Sequence, residues 1–104
     1  MRGVVAYVPD LMDRSRLGRA GAAVTVVATP AELAAAAAGA DLVVVDLSRP
    51  GVLDVLGDVS ATGVRTIGFA PHVDRALAEE ARAAGCDQVL ARSAFFSQLA
   101  ALLG

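Results

Sequence analysis

The chain has 104 residues, 56% of them hydrophobic and 19% charged, with nine basic against eleven acidic side chains and a formal charge of −2. That length accommodates one domain, residues 1–104, and so apolar a composition without blocks of like charge excludes intrinsic disorder. Scattered arginines balanced by acids, with only four aromatic rings, argue against nucleic acid as a partner, and no apolar run reaches the ~18 residues that would span a membrane.

The N-terminus opens Met-Arg-Gly and enters Val4 without the small-residue cleavage site of a secretory signal, so a cytoplasmic product is expected. Residues 4–8 read as a first strand, and 11–19 as a helix. Residues 24–28 form a second strand; a helix over 31–38 follows, with Thr29 as N-cap, Pro30 at its first turn and Gly39 closing it in the left-handed conformation. The third pair is strand 42–46 and helix 52–59. Strand 65–69 leads to helix 73–84, where Val73, Leu77, Ala81 and Ala84 share a stripe, Arg75 and Glu79 make an i,i+4 pair and Gly85 ends the helix. Strand 88–91 and helix 94–103, capped by Ser93, complete the chain. The strands are Val- and Ile-rich and mostly lack alternating polar positions, the pattern of a parallel sheet covered on both faces. Five βα units with short connections predict an α/β fold: a three-layer, doubly wound flavodoxin-like sandwich with strand order 2-1-3-4-5. In that order a site belongs outside the carboxyl ends of strands one and three.

The residues leaving the strands at that end are few: Pro9 and Asp10, Thr29, Asp46 and Ser48, Ala70, Pro71 and His72, Arg92 and Ser93. Asp46 terminates the apolar run Leu42 to Val45, which brings its carboxylate to the rim. An aspartate at a strand end equally serves as hydrogen-bond acceptor for the turn that follows.

The segment Asp46-Leu47-Ser48-Arg49-Pro50-Gly51 resembles the receiver domains of bacterial response regulators, the CheY-like family, in which an aspartate ends the third strand and a proline follows four positions later. Ala83-Ala84-Gly85-Cys86-Asp87 is similar to that family's Ala-Gly-Ala segment between helix four and strand five. The resemblance implies the flavodoxin-like fold, a place in two-component signalling or a phosphorelay, and Asp46 as the candidate phosphoacceptor. An aspartate that accepts a phosphoryl group needs a hard cation beside it, and the family holds Mg²⁺ with paired acids ending strand one. Here those positions are Tyr7 and Val8. Asp10 and Asp13 lie downstream, so Asp10, Asp46 and Ser48 are the candidate metal set, and Mg²⁺ enters only if Asp46 is phosphorylated; no other cofactor is expected. The family's hydroxyl after strand four is Ala70, and its lysine after strand five is Arg92. All nine basic residues of the chain are arginines. A planar guanidinium fork does not replace a compact ammonium at a tight phosphate site. These departures imply an atypical receiver, or pseudo-receiver: a non-enzymatic protein-interaction module of intracellular signalling. The alternative is a phosphoaccepting single-domain response regulator with Asp46 as acceptor.

Five other residues invite a role. His72 could partner Asp46 as a pH-sensitive group, although Pro71-His72-Val73-Asp74 reads more simply as an exposed helix start; one histidine without a second ligand is no zinc site. Cys86 beside Gly85 reads as inert packing, with Asp87 raising its pKa. Tyr7 reads as a core aromatic. In the last helix Phe95, Leu99 and Leu102 form the stripe against the sheet, which leaves Phe96 and Leu103 on an apolar flank. In the resembling family the face of helix four, strand five and helix five mediates dimerisation, so Phe96 and Leu103 are the candidate contact surface for a protein partner or a second copy. A flavin or other ligand site is disfavoured by the carboxylates of Pro9-Asp10-Leu11-Met12-Asp13, and a hydrolase by the absence of a Gly-x-Ser-x-Gly elbow.

Overall fold

The computed structural model describes residues 3–20 and 23–103. Five parallel strands, β1 (Gly3–Tyr7), β2 (Ala23–Val26), β3 (Leu42–Asp46), β4 (Arg65–Ala70) and β5 (Gln88–Ala91), form one sheet in the order β2-β1-β3-β4-β5. They alternate with α1 (Leu11–Gly18), a short 3₁₀ turn over Pro30–Glu32 that runs into α2 (Leu33–Ala37), α3 (Val52–Ser60) and α4 (Arg75–Ala83). After β5 come α5 (Arg92–Ser97) and α6 (Leu99–Leu103). This is the expected flavodoxin-like sandwich.

Successive residues of a strand point to opposite faces, and the buried side chains divide accordingly. Val5, Tyr7, Val43 and Val45 pack on one side with Leu33, Val52, Leu56, Val59 and Ala81. Val4, Ala6, Val8, Leu42, Val44, Ile67 and Phe69 pack on the other with Leu17, Phe95 and Leu103. All five residues of β3 are buried, because it is the central strand and helices cover both of its faces. The edge strand β2 departs from the expectation of double cover: Ala23, Thr25 and Val26 are exposed. It has one neighbouring strand, and the helix that follows it is short.

Several local expectations are corrected. The helix expected over 31–38 divides into the 3₁₀ turn and α2, and the Thr29 hydroxyl donates to Glu32 Oε1 (2.9 Å) instead of accepting a backbone N–H. Ser93 does not cap the last helix. Helical structure begins directly after β5, so Ala91 holds the cap position without a side-chain bond and Ser93 falls within the first turn. The helix expected over 94–103 breaks at Gln98, where φ is −107° and ψ is 9°. Beyond that break Leu103 turns into the core and is 1% exposed, so its assignment to an exposed flank is wrong. Gly39 and Gly85 do close α2 and α4 at positive φ. Among the described residues, no helix is long and apolar enough to cross a membrane.

One buried polar group stands out in β4. Thr66 lies opposite Val43, is 1% exposed, and its hydroxyl has no hydrogen-bond partner among the described residues. Burying a hydroxyl without a partner is unfavourable, so Thr66→Val is expected to stabilise the fold by about 1 kcal/mol and raise Tm by roughly 4–8 °C. A thermal melt that moves downwards would show that the hydroxyl is satisfied in solution.

Candidate functional site

The carboxyl ends of β1, β3 and β5 bring together three acids and two arginines. Asp46, the last residue of β3, is 5% exposed. Its position is fixed on one side by the next residue, since Leu47 N–H donates to the Phe69 carbonyl of β4 at 2.7 Å. The chain then turns sharply through Ser48 and Arg49 to Gly51, whose φ of 84° allows α3 to start. That turn folds back on the carboxylate. Oδ1 accepts the Ser48 N–H (3.0 Å) and the Ser48 hydroxyl (2.6 Å), and Oδ2 accepts Arg49 Nε (3.3 Å). Asp46 is therefore an acceptor for its own turn, and each of its oxygens is engaged.

Asp10, the downstream acid of the candidate metal set, is the N-cap of α1. Its Oδ1 accepts the N–H groups of Met12 (2.9 Å) and Asp13 (3.0 Å). The bond from Asp13 N–H is the chief cause that lowers its pKa below the ordinary aspartate value; the charges of Arg92 and Arg49 act in the same sense. Tyr7 and Val8 are both buried, so the end of β1 offers no carboxylate.

Arg92 opens α5 and reaches across to α1, where its guanidinium grips Asp13 in a two-point pair. Nε donates to Oδ2 at 3.1 Å and Nη2 donates to Oδ1. Asp13 is 2% exposed, so the pair is sheltered on the acid's side. The hydrogen bond to Asp13 holds the Arg92 pKa above its ordinary value, and the charges of Asp13, Asp10 and Asp46 add to it. Asp13 is the acid of this cluster that the sequence alone undervalues. A usable signal was present: Asp13 is four residues before Leu17, on the stripe of α1 that faces the core.

The remaining candidates are dispersed. Ala70 ends β4, buried and without a hydroxyl. His72 is exposed, and no hydrogen bond joins it to Asp46; Asp74 caps α4 instead, accepting Leu77 N–H at 2.8 Å. Cys86 is buried, and burial is the main cause that pushes its thiol pKa up, with Asp87 contributing. Tyr7 belongs to the core. Phe96 is half-buried and edge-on to Phe69 (5.5 Å) and Phe95 (5.0 Å), with the guanidiniums of Arg16 and Arg92 at 5.1 and 5.3 Å from its centroid.

The divalent cation implied by the receiver resemblance needs hard oxygen donors with free lone pairs. The donors present do not fit. Asp46 is bound by Ser48 and Arg49, Asp13 by Arg92, and among the described residues no group of three or more His, Cys, Asp or Glu side chains is placed to hold a metal ion. The local positive charge comes from two guanidiniums.

The fold is that of response-regulator receiver domains. A response regulator from Hahella chejuensis superposes with a TM-score of 0.86 at 18% identity, over 99% of this chain and 92% of that one. A Vibrio cholerae chemotaxis protein, CheY4, matches with a TM-score of 0.81 at 20% identity, over 99% and 96%. A Burkholderia pseudomallei response regulator, determined with a phosphorylated aspartic acid, calcium ion and citrate, matches with 0.81 at 19%, over 100% and 67%. No protein-family model matches the sequence, and no curated protein matches it. The chain thus has the CheY-like receiver fold, at an identity that speaks for architecture alone.

Proposed function

We propose that the chain is an atypical receiver domain that serves signal transduction as a cytoplasmic protein-interaction module, without catalysis and without phosphorylation of Asp46. The observation that carries this reading is the closed charge network: both Asp46 oxygens are taken by Ser48 and Arg49, and Asp13 is taken by Arg92. Phosphoryl transfer to a carboxylate depends on positioning and on charge stabilisation. The Burkholderia pseudomallei relative carries a phosphorylated aspartic acid and a calcium ion. A comparable state here would require Asp46 to release Ser48 and Arg49, with only Asp10 left to join it around a cation. Ala70 supplies no hydroxyl for a phosphoryl oxygen, and Arg92 is committed to α1.

Incubation of the purified chain with acetyl phosphate and Mg²⁺, followed by intact-mass spectrometry, tests the reading. The expected result is no phosphoryl adduct. An adduct that disappears in Asp46→Asn would establish the phosphoaccepting single-domain regulator in its place.

A further inference from the structure

Two surface features stay open to solvent among the described residues. Leu11 and Met12, at the start of α1, are 76% and 72% exposed, while the third exposed large hydrophobic among the described residues, Val26, is only 38% exposed. On the same side of the molecule, an open groove of about 380 Å³ runs between the end of α1 and the α5–α6 arm, with Arg16 and Arg19 on one wall and Phe96 and Leu99 on the other. No carboxylate lines it, and no ion pair engages Arg16 or Arg19 among the described residues.

Helical spacing connects the two features. Met12, Arg16 and Arg19 follow one another at i, i+4 and i+7, and Leu11, Ser15 and Gly18 do the same on the adjoining stripe. One end of α1 is thus apolar and acidic, with Asp10 exposed at its cap, and the other end is basic beside an apolar trough. A surface whose two ends complement each other is what a twofold, self-complementary contact requires.

We propose that α1 and its groove form a homodimer surface on which a second copy of the chain docks with its α1 antiparallel. This deepens the interaction-module reading, and rests on it, by naming the partner. With the twofold axis midway along α1, between Arg14 and Ser15, Leu11 comes over the partner's Gly18. A side chain built at Gly18 would meet nothing within 4 Å, so there is room for the leucine. Asp10 then lies level with the partner's Arg19, and Met12 lies at the mouth of the partner's groove towards Phe96 and Leu99. Each contact occurs twice.

Sedimentation equilibrium over a concentration series, with and without Mg²⁺ and beryllofluoride, tests the surface. The expected result is a dimer in both conditions whose dissociation constant rises by roughly tenfold or more in Leu11→Ser/Met12→Gln, while the melting curve of the variant stays that of a folded chain. Register is tested by mild oxidation: Leu11→Cys is expected to cross-link to Gly18→Cys in a mixture, and neither variant to itself. A chain that stays monomeric throughout overturns the proposal and leaves the groove to a partner of different sequence. So does a dimer that is indifferent to both substitutions. A dimer that forms only with beryllofluoride, and is lost in the double variant, supports this surface and refutes instead the phosphorylation-independent function.

Discussion

Arg92→Met is expected to destabilise the fold by about 3 kcal/mol, the lower end of the cost of breaking a buried ion pair, because the guanidinium is itself 38% exposed. The cost arises at the other partner. Asp13 is 2% exposed and both of its oxygens accept from Arg92, so the substitution leaves a sheltered carboxylate with neither water nor counter-charge. Methionine preserves much of the aliphatic bulk beside Phe96, which keeps packing loss small. Urea unfolding at neutral pH measures the effect. The companion variant Asp13→Leu/Arg92→Met removes both charges and is expected to recover most of the loss, since replacing a buried pair with apolar groups is often close to neutral. Equal destabilisation of the single and double variants would show that packing, not the ion pair, holds α1 to α5.

Gly85→Ala is expected to cost a similar amount, about 3 kcal/mol, and to lower Tm by more than about 10 °C, through two separable causes. Gly85 ends α4 at φ 111°, donating its N–H to the Arg82 carbonyl while Cys86 donates to the Ala81 carbonyl, the paired bonds that close a helix in the left-handed conformation. A Cβ at this position would also lie 2.5 Å from the Cβ and Oγ of Ser60, at the end of α3. Gly63 separates the causes. It has φ 82° but open space around the added atom, so Gly63→Ala carries the conformational penalty alone and is expected to cost about 1 kcal/mol. If the two alanine variants melt alike, the contact between α3 and the α4 turn yields without resistance.

The sheet was legible because its signals are local and dense. A continuous Val run in β3 and the short apolar run Val89-Leu90-Ala91 in β5 define these strands at their observed ends, and a βα repeat with short connections leaves the order β2-β1-β3-β4-β5 as the expected arrangement. Asp46 could be placed at the rim for the same reason. The Asp13–Arg92 part of the site was not legible, because it depends on a contact between distant segments. Asp13 and Arg92 are 79 positions apart, and nothing near either residue announces the other. The break at Gln98 also had no sequence mark, neither glycine nor proline, and it redirected Leu103 from the expected flank into the core. The fate of Asp46 was foreseeable only as a pair of alternatives. Ser48 two residues later supplies both a backbone and a hydroxyl donor, and the observed turn uses both on one carboxylate oxygen.

The central claim is that a serine and an arginine engage both oxygens of Asp46 and a second arginine engages both oxygens of Asp13, which closes the carboxyl end of the sheet to a cation and a phosphoryl group. A two-dimensional amide NMR titration with Mg²⁺ and beryllofluoride, a mimic of the phosphoryl group, addresses this most directly. The account predicts no saturable shift at Asp46, Leu47, Ser48 or Ala70. Saturable, Mg²⁺-dependent shifts centred on Asp46, absent from the Asp46→Asn variant, would contradict it.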